Sequence, residues 1–138
     1  MTANASVDKV FVRKLDTGDY SIEGLEHKLC IERKSSVSEL AQNVTAKRFK
    51  DVLERMRHFS YSFLLLEFSI DDIIKYPYGS EVPRKMWKKL KVKGPFILKV
   101  ISQIQVKYGI HVVFCGDSDN AKYIANNIMR QVHEQYEN

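Results

Sequence analysis

Apolar and polar residues follow two different periods along this chain, and the changes between them predict its elements. Residues 28–32 alternate, which is typical of a strand with one buried face. Residues 37–59 instead carry apolar side chains on one side of a helical path, and an interruption is predicted at residues 43–46. Residues 62–68 form a nearly continuous apolar run, which predicts a buried central strand.

The last third of the chain continues this succession of helix and strand. Residues 94–108 predict a helix that ends at Gly109, a residue suited to the left-handed backbone of a helix C-terminus. Residues 110–115 predict another buried strand, and a final helix capped by Asp117 or Ser118 follows. With a strand predicted over residues 7–13 ahead of the one at residues 28–32, the order is strand, strand, helix, strand, helix, strand, helix, which favours an α/β sandwich whose central mixed sheet has helices on both faces.

Composition narrows the class of protein. The 138 residues are enough for one domain with an ordinary core, and 44% of them are hydrophobic. No apolar run approaches the roughly 18 residues that a membrane span requires. Cys30 and Cys115 are isolated, so they predict neither a zinc site nor a disulfide, and small buried side chains in a reducing compartment are expected.

The net charge of +5 favours a polyanionic partner. Six of the ten residues from 84 to 93 are basic, and Trp87 lies among them. A second basic stretch covers residues 47–57. Either stretch also fits an ordinary solvated surface, and Trp87 is expected to pack rather than to stack on a base.

One group of residues has the chemistry of a phosphodiester-cleaving site. Asp19 closes one predicted strand, and Glu32 and Lys34 lie two residues apart on the next. Side chains alternate along a strand, so Glu32 and Lys34 face one side while the carbonyl of Arg33 lies between them. Two carboxylates and a lysine can hold a divalent metal beside a phosphate. By its spacing, the pattern also fits a surface strand with ordinary ion pairs.

The context of these residues is more specific. Gly18-Asp19-Tyr20 followed by Ile31-Glu32-Arg33-Lys34-Ser35 resembles the nuclease domain of the XPF/Mus-type structure-specific endonucleases, whose hallmark is a GDx(n)ERKxxxD motif, a variant of PD-(D/E)XK. Residues 47–49, 63–67 and 104–110 also resemble segments of that family. The resemblance implies a three-layer restriction-endonuclease-like sandwich over residues 7–138, with residues 1–6 as a disordered or cloning-derived start.

The resemblance also implies roles for individual residues. Asp19 and Glu32 are the implied ligands of Mg²⁺ or Mn²⁺, Lys34 is the catalytic lysine, and Arg33 supports the site or a DNA phosphate. Four further residues are implied to support the site or to bind DNA, and of these the trailing acid stands one residue later than the family motif has it: Glu39, Arg48, Glu67 and Lys47.

The implied function is that of a metal-dependent endonuclease that hydrolyses DNA near single/double-strand junctions, such as flaps, forks or branches, in repair or recombination. The chain departs from the family at two points: the first family strand with its Val-Asp-x-Arg-Glu motif and the helix-hairpin-helix module are expected to be missing. A non-catalytic DNA-binding or scaffolding subunit that partners another nuclease is therefore the alternative. A sequence-specific restriction-type enzyme would use the same chemistry.

Relatives of this type associate through the nuclease domain, so a homodimer or heterodimer is expected. Apolar residues of the last two predicted helices exceed what one sheet face requires, which supports this expectation: Ile101, Ile104, Ile128 and Val132. No membrane association is expected. An intracellular location is expected, nuclear in a eukaryote and cytoplasmic in a prokaryote or virus.

Overall fold

The centre of the fold is a small parallel sheet with helices on both faces. The computed structural model describes residues 20–137, together with the backbone of residues 12–13. In chain order, the elements are β1 (Val12–Arg13), β2 (Ser21–Ile22), β3 (Leu29–Lys34), α1 (Val37–Asn43), α2 (Lys47–Met56), β4 (Tyr61–Leu66), α3 (Ile70–Ile74), a 3₁₀ helix (Arg84–Lys89), α4 (Gly94–Tyr108), β5 (His111–Phe114) and α5 (Ser118–Tyr136).

Strand pairing places β4 between β3 and β5, and both pairs are parallel. Antiparallel pairing enters through the β1–β2 hairpin, which reaches β3 at one point. There Tyr20 and Ile31 exchange two backbone hydrogen bonds, of 3.1 and 3.0 Å. The predicted α/β sandwich is confirmed, with a central sheet that is parallel and an antiparallel hairpin at its side.

The two faces of β3 bury different partners, as the alternation of its side chains predicts. Cys30 joins a core cluster with α1, α2 and α4, whereas Leu29 and Ile31 join a second cluster with α5. All three side chains are fully buried. Burial on both sides is expected for a parallel strand that is sandwiched between helices.

Helix boundaries follow local signals. The predicted interruption between residues 43 and 46 is confirmed, because α1 ends at Asn43 and α2 begins at Lys47. Gly109 ends α4 with a φ of 65°, a left-handed conformation that glycine adopts without strain. Asp117 caps α5 by accepting a hydrogen bond of 2.7 Å from the Asn120 N–H.

The short helix α3 is held by a capping box. The Ser69 hydroxyl accepts from the Asp72 N–H, and the Asp72 carboxylate accepts from the Ser69 N–H at 2.8 Å. This backbone hydrogen bond lowers the pKa of Asp72 below its usual value. Asp71 and Asp72 form an acidic pair in the first turn of this helix.

The prediction of a fully buried fifth strand was wrong. Within the described sheet β5 is an edge strand, and both His111 and Phe114 are exposed. The His111 ring stacks on Phe63 with ring centroids 5.0 Å apart. An apolar run indicates a strand, but it does not tell a central strand from an edge strand, because the position in the sheet depends on distant pairing.

Both cysteines are buried free thiols, as predicted. Burial and the nearby Glu67 carboxylate raise the pKa of Cys115, which keeps that thiol protonated and unreactive. In the described part of the chain, no helix has the length and apolar character needed to cross a membrane.

An ion pair joins the carboxyl ends of β3 and β4. The Arg33 Nε and Nη2 atoms lie 2.6 and 2.5 Å from the same Glu67 Oε2 atom. The two side chains are only 19% and 10% exposed. The Glu67 N–H also donates to the Lys34 carbonyl at 2.9 Å, so the strands stay joined one residue beyond their last pair.

Replacement of Glu67 by Gln is expected to lower the free energy of unfolding by about 1–3 kcal/mol, because a largely buried guanidinium then loses a carboxylate. Glu54→Gln is the matched control, since Glu54 pairs with Arg57 at 3.1 Å with both side chains about half exposed. The control should cost about 0.5 kcal/mol or less. Denaturant unfolding of the two variants measures the difference, and an equal small change in both would contradict a structural role for the Arg33–Glu67 pair.

Candidate active site

Glu32 and Lys34 lie side by side at the carboxyl end of β3. Their side chains project from the same face, and the Lys34 Nζ atom is 3.4 Å from the Glu32 Oε2 atom. Both side chains are mostly covered, at 15% and 11% exposure. Their shared face follows from the two-residue period of a strand, and the structure brings together two of the residues predicted to act in one site.

An aromatic ring from α2 lies close to the Lys34 ammonium. The centroid of Phe49 is 5.4 Å from the Lys34 Nζ atom, a distance at which a cation and a ring attract. Phe49 had no predicted role, although residues 47–49 lie in a segment that resembles the family. Its signal is a buried aromatic among the basic residues at the start of a helix.

The neighbours of Phe49 are exposed cations. Lys47 and Arg48 both face solvent in the first turn of α2. Lys47 forms an exposed ion pair of 3.2 Å with Asp51. Since Phe49 anchors this turn near Lys34, the same turn holds both predicted DNA-binding residues near the candidate site.

Asp19 lies outside the described residues. Its chain neighbour Tyr20 is paired with Ile31, the residue directly before Glu32. The Ile31 carbonyl accepts from the Tyr20 N–H, and carbonyls along a strand point alternately to either side. The Arg33 carbonyl therefore points to the side of Tyr20, away from β4.

These oxygen atoms suit a hard divalent cation. Mg²⁺ and Mn²⁺ prefer carboxylate and carbonyl ligands and keep several water molecules. The Glu32 carboxylate and the Arg33 carbonyl are ligands of this kind on β3. Among residues 20–137, no three His, Cys, Asp or Glu side chains form a cluster that could hold a metal.

Arg33 and Glu67 belong to the opposite face of the sheet. Arg33 is paired in register with Leu65, which packs in the cluster under α5, whereas Glu32 and Lys34 are paired with Leu64 and Leu66 of the other cluster. The carboxylate of Glu67 therefore contacts Arg33. The predicted supporting role of Glu67 stays a prediction. Glu67 could affect the site only indirectly, by holding Arg33 and with it the end of β3.

Glu39 is turned toward the start of α1. Its carboxylate accepts a hydrogen bond of 2.8 Å from the Ser35 N–H, and its own N–H donates to the Ser36 hydroxyl at 3.1 Å. This reciprocal arrangement caps the helix that follows Lys34 directly. The position of the trailing acid thus orders the chain immediately after the candidate site.

A cavity of about 220 Å³ opens beyond the carboxyl ends of β3 and β4. One wall is formed by residues 35–38, which follow Lys34, and the other by residues 78–81. Phe68 and Asp72 complete the lining. Ligands of parallel sheets commonly bind beyond the carboxyl ends of the strands, and this cavity lies in that position.

Comparison with known proteins agrees with this architecture. The chain resembles the structure of XPF from Aeropyrum pernix, with a TM-score of 0.64 and 20% identity over 95% of this chain and 57% of that chain. It also resembles XPF from Aeropyrum pernix in complex with DNA, with a TM-score of 0.59 and 18% identity over 89% and 52% of the two chains. The chain thus spans little more than half the length of these structures. No curated protein matches the sequence.

A family model gives the same result from the sequence. The model described as the ERCC4 domain matches residues 2–127, which is most of the chain. Together with the fold, this match confirms the resemblance to the XPF nuclease domain. The chain therefore belongs to the ERCC4 domain family.

Proposed function

We propose that this protein is a Mg²⁺- or Mn²⁺-dependent endonuclease that hydrolyses DNA near single/double-strand junctions, such as flaps, forks or branches, in repair or recombination. The match to the ERCC4 domain supports a nuclease or a related function in DNA repair. One of its structural neighbours was solved as a complex with DNA. The observation that carries the proposal is the pair of Glu32 and Lys34 on one face of β3 at the carboxyl edge of the sheet.

The chain's own residues have distinct roles in this proposal. The Glu32 carboxylate and the Arg33 carbonyl would hold the metal together with Asp19, which is one residue before the Tyr20–Ile31 pairing. When bound, the ion neutralises charge on the phosphate and lowers the pKa of water. The Lys34 ammonium donates hydrogen bonds to a phosphate oxygen, where negative charge increases as the water oxygen adds to phosphorus and the leaving P–O bond breaks.

Lys34 is also prepared for this role by its surroundings. Its Nζ atom is positioned by the Glu32 carboxylate and the Phe49 ring, so little side-chain freedom remains to be lost when a phosphate arrives. Exposed cations of α2, such as Arg48, are available to bind the neighbouring phosphates.

Lys34→Ala and Asp19→Ala are each expected to lower the rate of flap or fork cleavage at least about 100-fold, because each removes charge stabilisation or metal ligation from the transition state. Cleavage is measured on end-labelled DNA with Mg²⁺ or Mn²⁺, and chelation of the metal should abolish it. Lys122→Ala is the control, since Lys122 is an exposed lysine of α5.

The same assay separates the alternatives. Cleavage by the Lys34 and Asp19 variants at the rate of the unaltered protein would reject these residues as the site. Salt-sensitive DNA binding without cleavage under either metal would favour the non-catalytic subunit. Cutting of plain duplex at one sequence would indicate the restriction-type enzyme.

We also propose that the domain forms a homodimer or a heterodimer, but the argument from the sequence has to be corrected. Ile101 and Ile104 are buried in the core shared with α1 and α2, and Val132 is buried against the sheet. These three residues therefore belong to the core and offer no apolar surface to a partner. Ile128 is only partly buried, and with Tyr61, Phe63 and Val132 it lines a mostly apolar groove of about 350 Å³ between β4 and α5.

Ile128→Glu is expected to convert a dimer into a monomer, because it places a charge in the apolar groove that a second copy would cover. Val106→Glu is the control, since Val106 is 84% exposed on α4. Light scattering over a range of concentrations gives the mass. A monomeric mass for the unaltered protein at every concentration would reject the homodimer.

A further inference from the structure

We infer that the segment of residues 82–93, which precedes α4 and is called here the basic ledge, is a second DNA-binding surface that holds the phosphate backbone of a duplex beside Lys34. The inference deepens the proposed function and rests on it for the identity of the polyanion. Three observations carry it: the ledge is anchored, its charge is not neutralised within the described chain, and it borders the candidate site.

The anchoring comes from its apolar residues. Val82, Leu90 and Val92 pack against the core cluster that includes α1 and α2. The Trp87 indole N–H donates to the Val82 carbonyl at 3.0 Å. Trp87 thus packs the ledge against itself, as expected from the sequence, and the 3₁₀ helix is held in one position.

The join to α4 is equally tight. A Cβ atom on Gly94 would lie 2.3 Å from the carbonyl oxygen of Ile73, so glycine permits the direct contact of the α4 start with the backbone of α3. Cations on an anchored segment lose less conformational entropy on binding than cations on a mobile loop. The ledge is therefore a surface with a defined shape.

The charge of the ledge is unopposed. In the described part of the chain, none of its six basic side chains forms an ion pair with a carboxylate, and all six face solvent: Arg84, Lys85, Lys88, Lys89, Lys91 and Lys93. Glu81, the residue directly before the ledge, is the nearest acid in sequence. Like charges at this density repel one another, which favours a polyanionic partner.

The 3₁₀ helix arranges these cations in rows. Residues three apart are eclipsed in such a helix. The guanidinium of Arg84 accordingly lies 5.2 Å from the ring centroid of Trp87. Lys85 and Lys88 are eclipsed in the same way and form a row about 6 Å long, at a rise of about 2 Å per residue.

The ledge lies next to the candidate site, with α1 between them. A cavity of about 440 Å³ lies between α1 and the ledge, with Ser38 and Gln42 on one side and Met86 on the other. Since α1 begins shortly after Lys34, the ledge runs alongside the chain that leaves the site. A duplex whose scissile phosphate contacts Lys34 can therefore extend over Lys85 and Lys88, where backbone phosphates fit the row of cations.

The test is a comparison of two variants that each remove two positive charges. Lys85→Gln/Lys88→Gln removes the row, whereas Lys28→Gln/Lys107→Gln removes lysines at the opposite edge of the sheet, where β3 begins and α4 ends. Affinity for a forked duplex is measured by fluorescence anisotropy in EDTA at several salt concentrations. No cleavage is required, so failure of the nuclease proposal and failure of this inference are distinguishable.

The ledge variant is expected to bind about 10- to 60-fold more weakly at 0.1 M salt. Its slope of log K against log salt should be smaller by about 1.8, at about 0.9 for each lost phosphate contact. The control variant should match the unaltered protein. Lys85→Arg/Lys88→Arg should restore both quantities, because phosphate contacts require the charge and not the ammonium itself.

Three outcomes would overturn the inference. The first is an unchanged affinity and slope for Lys85→Gln/Lys88→Gln. The second is an equal loss in the control variant, which would indicate a general charge effect. The third is loss of binding to vesicles that contain phosphatidylserine while DNA binding stays intact, which would assign the ledge to an anionic lipid surface.

Discussion

The parallel pairing of β3 with β4 is the constraint on which the candidate site depends. Leu64, Leu65 and Leu66 are fully buried, and each is paired with one residue of the Glu32-Arg33-Lys34 run. A slip of one residue would move every side chain of β3 to the other face. Glu32 and Lys34 would then project toward α5, while Leu29 and Ile31 would exchange core clusters with Cys30. The apolar core therefore selects the face on which Glu32 and Lys34 lie.

The charged residues on the two faces of the sheet form ion pairs of different length. On the α5 face, Arg33 and Glu67 are in direct contact at 2.5 Å, which compensates the desolvation of two charges next to an apolar cluster. On the α1 and α2 face, Lys34 and Glu32 are farther apart, at 3.4 Å, and the ammonium lies near an aromatic ring. The shorter contact is suited to joining the two strands, whereas the longer one belongs to the pair that is proposed to act on a phosphate.

Sequence patterns predicted the elements of this fold better than their contacts. The alternation of Leu29 and Ile31 with Cys30 and Glu32, the break before Lys47 and the glycine cap at Gly109 depend on neighbours in sequence, and the structure has them. The exposure of β5 and the burial of Ile101 depend on which elements lie next to each other in space. The Arg33–Glu67 contact joins residues 34 positions apart, so no local pattern indicates it. Asp19 and its approach to Glu32 are still predictions.

The topology also explains why the basic ledge borders Lys34. All three strands of the parallel sheet end at one edge, so any segment that follows β4 begins at the edge where β3 ends. The helix α3 has five residues and is about 7.5 Å long, which is too short to carry the chain away from that edge. Residues 78–81, which precede the basic ledge, accordingly line the same cavity as residues 35–38, which follow Lys34. Residues in the connection from β4 to α4 therefore lie beside the candidate site. Residues in the connection from α4 to β5 lie instead where the parallel strands begin. A basic segment can therefore extend a phosphate-binding surface if it lies in the connection after β4, but not if it lies in the connection after α4.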